Sequence, residues 1–442
     1  MAQFNSRVIS IVLGATTGLS VVSYDKDGAR ILLEEKIPWI IDGPLWEWPI
    51  QWLADTLDQI TKNIVEPGDI VVSGMWGADL LFCLRMGGTT YPLPHYRSVT
   101  EADLENALAK VGRTREEMYL LSGGAAAAFY QPLGILAATE RLCPELLSVS
   151  DILGVVPFSG LINWKLSGGI PGHDETMRQS MGLHASTAAS IYAGANFGAI
   201  PGEMIGAGPI LEDGAVMSGY KSSRVLATSH DSVLSRLVGL TECNWVFWTG
   251  SWLGTTVRIP DNVVPTSTTF KANINFEGLG PTRAAVTNTG MFGPMYKELI
   301  GHFDLSYCEA SESAAEVVRL VEPLPLETIL APNLPAWVCT NFKDPSKGIA
   351  AYLRGVAVAM VHEADRVAET LQIPLICKVA ITGGWAENAA FVKALEFSGL
   401  DVVVPRHASS STHAGLAANG LYYCKEFDSV KEALNALPEL VS

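Results

Sequence analysis

The sequence predicts an α/β protein of two lobes with a cleft between them. Short β-branched runs alternate with stretches of helical period along the chain. Each half also opens in the same way, on a strand, a small-residue turn and a returning strand. The composition agrees. At 442 residues, 48% of them hydrophobic and 17% charged, with mean hydropathy +0.23, the chain can bury two or three domain cores. Global disorder is excluded on the same numbers.

The elements follow in order. Arg7–Leu13 reads as a buried strand ending at Gly14, Leu19–Tyr24 as its return, and Ala29–Ile37 as a third strand after the Asp25-Lys26-Asp27-Gly28 turn. Ile50, Leu53, Ala54, Leu57, Ile60 and Ile64 lie on one helical face, which Glu66-Pro67-Gly68 stops. Asp69–Ser73 is a buried strand expected to run parallel to the first. Ala102–Val111 and Pro132–Leu142 read as helices, and Gly168–Gly172 as a loop. The second half opens at Arg224–Ser229, a strand, with the helix Asp231–Val238 directly behind it. Trp245–Trp248 and Thr255–Ile259 are strands flanking a small-residue corner. Ser346–Leu371 is a long amphipathic helix. Leu375–Thr382, Asn388–Phe397, Asp401–Pro405 and Thr412–Tyr423 read as strand, helix, strand and helix. The boundary is expected near Ser222–Arg224, which divides the chain into 1–222 and 223–442.

Charge narrows the partners. Thirty Lys and Arg against 46 Asp and Glu give a net charge of −16, which argues against a nucleic-acid face and against a polybasic membrane surface. No apolar run reaches the roughly 18 residues of a membrane span, and the N-terminal apolar run is broken at Gly14, so a cytoplasmic location is expected. Cys83, Cys143, Cys243, Cys308, Cys339, Cys377 and Cys424 form no CxxC pair, and the expected reading is scattered buried thiols.

Five segments could carry chemistry. Gly14-Ala15-Thr16-Thr17-Gly18 and Thr249-Gly250-Ser251 occupy equivalent corners of the two halves. Glycines let backbone approach a phosphate and Thr hydroxyls donate to it, although either corner is equally readable as a tight turn. Ser229-His230-Asp231-Ser232 sits where a strand opens a helix. Asp231 there can take a proton from a hydroxyl or cap the helix, and the two roles can coexist. Thr382-Gly383-Gly384 with Asn388 offers backbone to a flat base, or an ordinary turn with Asn388 as cap. Trp76-Gly77-Ala78-Asp79 offers a flat apolar face and two acceptors, suited to a sugar, or a core Trp beside a surface acid. Of the histidines, His230 is beside a candidate site and His95, next to Tyr96-Arg97, is a second. HExxH, GxxxxGK[ST] and GxSxG do not occur.

The order of these segments resembles the FGGY carbohydrate kinases of the actin/hexokinase/Hsp70 (ribonuclease H-like) ATPase fold, and within them the rhamnulokinase and fuculokinase types. The resemblance rests on Ala227–Ser232 followed by Trp248–Trp252, on Ile381–Gly384 with Asn388, on Ser411–Ala418 and on Trp76–Asp79. It implies ATP-dependent phosphorylation of a ketose at a primary hydroxyl, with ATP and magnesium as cofactors and a monomer or homodimer as the working form. It implies Asp231 as the base and Trp76, Asp79, Tyr96, Arg97 and His230 near the sugar, in a sugar-binding N-terminal lobe. It places Gly14, Thr16, Thr17, Thr249, Gly250 and Ser251 at the phosphates. Gly383, Gly384 and Asn388 fall by the adenosine, in a nucleotide-binding C-terminal lobe.

Two positions depart from the pattern. Val12 stands where the family carries an acid that helps hold magnesium, so the metal ligands are unassigned, with Asp79 and Asp231 as the remaining carboxylates. Ser98 stands where rhamnulokinase relatives carry an acid, which bears on sugar identity. The alternatives are therefore a family member that binds sugar or nucleotide without efficient turnover, and an assembly module of the same ATPase fold.

Overall fold

The computed structural model describes residues 4–14, 18–84, 91–124, 132–148, 152–169, 176–177, 196–201, 211, 214–279 and 282–440. The chain forms two compact units. The sequence suggested one cut between residues 222 and 223. The compact units are Met1–Leu234 with Val264–Arg283 and Thr412–Ser442, and Ser235–Val263 with Ala284–Ser411. Packing explains the return of the C-terminal segment. The helix Ser411–Tyr423 brings Leu416 against Gly74, and Gly420 against Val72 and Ile70, on the first unit's sheet.

The first unit is built on the expected meander. Val8–Gly14 pairs antiparallel with Gly18–Asp25, which pairs antiparallel with Gly28–Glu35. Ile70–Met75 lies parallel to Val8–Gly14 on its other side, as expected. Next to it come Arg224–Leu226 and Val216–Ser218, while Ser229–His230 also pairs with Ile70–Met75. The expected Arg224–Ser229 strand is thus two short strands separated by Ala227-Thr228. The two central strands are buried at every position, which is how a sheet covered on both faces reads in sequence. On one face, Leu53 and Leu57 from the helix Ile50–Gln59 pack with Ile9, Ile11, Leu13 and Val71. Each such leucine contributes about 2 kcal/mol of burial. The helix passes into a single wider π turn at Ile60–Ile64 before the Glu66-Pro67-Gly68 stop.

A smaller sheet of Tyr91–Pro92, Leu80–Leu84 and Ile152–Pro157 carries a second core with the helices Glu101–Val111 and Pro132–Leu142. A hairpin of Ile40–Asp42 and Leu45–Glu47, absent from the sequence reading, turns at Gly43, whose φ of 56° suits glycine.

In the second unit, strands run in the order Thr282–Gly290, Leu253–Ile259, Trp245–Thr249, Lys378–Gly383, Asp401–Val403. Lys378–Gly383 runs parallel to both of its neighbours, Trp245–Thr249 and Asp401–Val403. The long helix is Pro345–Leu371, with Asp344 accepting the Ser346 amide at 3.0 Å as its cap and Ile349, Leu353, Val356, Met360, Ala364, Val367 and Leu371 on its buried face. The helices Phe292–His302, Tyr307–Val317 and Leu334–Asn341 were not read from the sequence.

Six of the seven cysteines are described as free thiols. Cys143 and Cys243 are buried as expected, but Cys308 and Cys377 are exposed, because each lies at the edge of an element and not in a core. Among the described residues, no helix is long and apolar enough to cross a membrane.

Candidate active site

In the first unit, the site begins with two neighbouring parallel strands. Ser229 pairs with Gly74 and His230 with Met75, so the next residues along each strand are Asp231 and Trp76. Both segments therefore leave the sheet at the carboxyl ends of adjacent strands, where open α/β sheets place their ligands.

Asp231 opens the helix Asp231–Leu240, and its Oδ1 accepts the Ser232 amide at 2.6 Å. His230 Nε2 lies 3.7 Å from Asp231 Oδ1 and 3.1 Å from Ser232 Oγ. The His230 amide donates to Thr176 Oγ1 at 3.1 Å. The Asp231 side chain is 20% exposed, so a substrate hydroxyl can reach it, whereas His230 is only 7% exposed. One carboxylate thus holds the amide next to it in the first turn and remains partly open to solvent.

Beyond Trp76 the chain meets a cluster of aromatic rings centred on His95. The His95 ring lies 4.4 Å from Trp39, 6.0 Å from Trp46 and Trp48, 5.6 Å from Trp76 and 4.3 Å from Tyr96, by ring centres. Trp48 stacks on two nearly parallel rings, Phe158 at 4.0 Å and Trp76 at 5.1 Å. Arg97 is exposed and lays its guanidinium over Trp46 at 4.8 Å. Such contacts are worth about 0.5–1 kcal/mol at the surface, and they fix the charge in place.

Asp79 behaves differently from the expectation of two open acceptors. Its side chain is fully buried. Oδ2 accepts the indole N–H of Trp76 at 2.9 Å and of Trp48 at 3.1 Å, and Oδ1 accepts the Tyr96 amide at 2.8 Å. Burial pushes the carboxyl up to about 7, against the pull of those three donors and of Arg97. His95 is driven the other way by burial, to about 3, and is neutral. Its Nδ1 accepts the Arg97 amide at 3.3 Å, which leaves the ring proton on Nε2. That nitrogen faces Asp79 Oδ2 at 3.6 Å and has no hydrogen-bond partner among the described residues. Burial also raises the Tyr96 phenol, Arg97 opposes this, and the carboxylates of Asp79 and Asp231 add to the rise. Trp76, Asp79, Tyr96, Arg97, His230 and Asp231 therefore belong to one neighbourhood.

Trp39, Trp46, Trp48, His95 and Ser98 were not singled out as a group by sequence. The signal was Asp42-Gly43, a turn pair, followed by the alternating Trp46-Glu47-Trp48. Ser98 is buried and ties the hairpin down, its hydroxyl accepting the Trp46 amide at 2.8 Å.

In the second unit, Thr249 pairs with Gly383 at the ends of the two parallel strands. The Thr249 hydroxyl is already used: it donates to the Thr382 carbonyl at 2.8 Å and accepts the Trp385 amide at 3.0 Å. Gly383 has φ +92°, and a Cβ there would sit 1.7 Å from the Thr249 carbonyl oxygen, so this glycine serves strand packing. Asn388 is fully buried, capping its helix at Phe391 N (3.0 Å) and donating to Tyr296 Oη at 3.1 Å. Gly250 and Gly384 are exposed, and a Cβ on Gly384 would meet nothing within 4 Å. The Tyr307 hydroxyl donates to the Gly384 carbonyl at 3.1 Å. Of the expected nucleotide residues, Gly250 and Gly384 present open backbone, while Thr249, Gly383 and Asn388 are scaffold.

Gly14 closes the first hairpin opposite Gly18. A Cβ on Gly18 would meet the Glu35 carbonyl oxygen at 2.1 Å. Thr16 and Thr17 lie outside the described residues. Among the described residues, no group of three or more His, Cys, Asp or Glu could hold a metal ion. Val12 is 7% exposed and pairs with Gly74. Asp79 is walled in by indole donors, which leaves Asp231 as a single carboxylate. Among the described residues, Asp231 is the carboxylate that would hold a magnesium ion, with nucleotide phosphates and water completing its shell.

No protein-family model matches the sequence, and no curated protein matches it. Solved structures do. The glycerol kinase of Plasmodium falciparum with ADP aligns at TM-score 0.75 and 13% identity, over 99% of this chain and 93% of that one. The ligand-bound xylulose kinase of Lactobacillus acidophilus gives 0.72 and 13% over the same shares. The gluconate kinase of Lactobacillus acidophilus gives 0.71 and 12%, again over 99% and 93%. By fold, the chain is similar to these carbohydrate kinases, which share a two-domain actin-like ATPase architecture.

Proposed function

We propose that the chain is an ATP-dependent sugar kinase that phosphorylates a primary hydroxyl of a ketose of the rhamnulose or fuculose kind, in the cytoplasm. The observation that carries this reading is the open Asp231 carboxylate, delivered beside Trp76 at the carboxyl ends of two paired strands and within the field felt by Tyr96. The fold neighbours named as xylulose, glycerol and gluconate kinases support it.

In this reading Asp231 accepts the proton of the attacking hydroxyl as its oxygen bonds to the γ-phosphorus of ATP and the bond from that phosphorus to the bridging oxygen breaks, ADP leaving. His230 lies against the same carboxylate and limits the directions from which a sugar can approach. Arg97, held on Trp46, supplies a fixed charge and donors for sugar oxygens. Gly250 and Gly384 supply open backbone for the nucleotide. Phosphoryl transfer asks mainly for positioning and charge stabilisation, so one base and fixed donors are a sufficient contribution from these residues.

The test is coupled ADP release across L-rhamnulose, L-fuculose, D-xylulose, glycerol and gluconate. Sugar-dependent release at about 1–100 s⁻¹ supports the reading, and release no greater than the sugar-free background rules it out. A second reading, binding without efficient turnover, is favoured by Val12 alone. Ligand-induced thermal stabilisation without ADP release would establish it.

A further inference from the structure

We propose that Asp79 is a positioning residue that fixes the aromatic wall of the acceptor site and does not itself touch the substrate. The inference rests on the kinase reading and deepens it. Three chain segments, remote in sequence, converge on this one carboxylate. The hairpin side supplies Trp48 Nε1, the turn after the central strand supplies Trp76 Nε1, and the His95–Ser98 turn supplies the Tyr96 amide.

Those three donors explain what the group is for. Trp48 stacks nearly parallel to both Phe158 and Trp76 and is buried, so its rings offer no open surface. Its polar atom is spent on Asp79. Trp76 sits in register with Asp231, one step beyond paired strand residues. Tyr96 carries the ring that feels the Asp231 charge, and its backbone is held by Asp79 Oδ1. Arg97 follows directly, with its amide on His95 Nδ1. Asp79 thus sets where Trp76, Tyr96 and Arg97 stand relative to the base, although its own side chain is fully buried.

A carboxylate is the side chain that suits the position. It accepts at both oxygens, and every group aimed at it is a donor: two indoles, one amide, and the unpartnered Nε2–H of His95 at 3.6 Å. An amide in its place turns one acceptor into a donor and leaves N–H facing N–H. A buried donor without an acceptor is costly, so the wall must shift.

Asp79→Asn tests this, with kinetics on whichever of L-rhamnulose, L-fuculose, D-xylulose, glycerol or gluconate the wild type turns over fastest. The expected result is a sugar KM raised tenfold or more, with kcat and the ATP KM within about twofold. In ¹H–¹⁵N spectra the Trp48 and Trp76 indole signals, assigned by Trp→Phe changes, move together. A merely structural role would lower the yield of folded protein and leave the sugar KM of the remainder unchanged. Should Asp79→Asn not fold, Trp48→Phe keeps the stack and removes one donor. It is expected to raise the sugar KM severalfold and leave the ATP KM alone. An unchanged sugar KM in a folded Asp79→Asn protein, or in Trp48→Phe where the first does not fold, overturns this inference alone. Wild-type protein that neither binds nor phosphorylates any member of the panel overturns the kinase reading and this inference with it.

Discussion

Val12 pairs with Gly74 across the two central parallel strands of the first unit, and a Cβ built on Gly74 would lie 3.5 Å from the Asp231 Cα and 3.0 Å from Leu416 Cδ1. The face that carries Val12 is therefore the face on which Asp231 stands, with Leu416 on one side and Ser20, the cross-strand partner of Val12, on the other. A carboxylate at position 12 would be buried near another of the same charge. Val12→Asp is expected to lower stability by about 3 kcal/mol, the usual cost of an unpaired buried charge. Added MgCl2 is expected to raise the melting temperature of Val12→Asp and to leave that of the wild type unchanged. Equal magnesium responses in the two proteins would show that the natural site already holds the ion.

Asp231→Asn separates the two duties of the first helix residue. Asparagine is as good an N-cap as aspartate, so urea unfolding is expected to shift by less than about 1 kcal/mol. General-base catalysis contributes about 10²–10⁴-fold, and kcat is expected to fall by that range while sugar and ATP affinities stay within a few-fold. A variant retaining more than a tenth of wild-type kcat would remove Asp231 from the chemistry.

The parts of this architecture that were legible in sequence are those where one local signal decides. The β-branched run around Ile9 and Ile11 and the spacing Leu53, Leu57, Ile60 gave the first sheet and its helix, because burial acts directly on those side chains. The position of Asp231 was legible because a strand ends and a helix begins there. The aromatic wall was not. His95, Trp48 and Trp76 lie far apart in sequence and meet only in the folded chain, at Asp79 and through their own ring contacts, so nothing local marks them as a set. The same limit hid the bonding partners of Thr249 and Asn388. Their partners, Thr382, Trp385 and Tyr296, come from strands and helices that only tertiary packing brings near.

Gly383 and Gly384 are adjacent and have opposite requirements. Gly383→Ala forces a Cβ to within 1.7 Å of the Thr249 carbonyl oxygen at a φ of +92°, so the sheet edge must open. Its melting temperature is expected to drop well below wild type. Gly384→Val meets open space and is expected to melt within about 2 °C of wild type. If Gly384 carries nucleotide, the valine raises the ATP KM at least tenfold and leaves the sugar KM alone. Unchanged ATP affinity in Gly384→Val would move the nucleotide away from this turn.

Acid sensitivity follows from three groups in the first unit, the buried Asp79 and His95 and the half-buried His413. His413 sits between Ser20 Oγ at 2.7 Å and Ser10 Oγ at 3.0 Å, and burial lowers it to about 4. His95 is lowered to about 3. Both take up a proton near pH 6.5 only when unfolded, so each contributes stability above that pH which is lost as the pH falls. Asp79, raised to about 7, has the opposite sign. The folded state binds its proton between about 7 and the ordinary carboxylate range, and this offsets one histidine. The balance is one proton, about 1.4 kcal/mol lost per pH unit between pH 6 and 5, above the range where surface carboxylates titrate. His413→Asn removes that slope and is expected to unfold in urea with nearly the same midpoint at pH 6 and pH 5. A variant that keeps the wild-type slope would show that His413 gains its proton without unfolding.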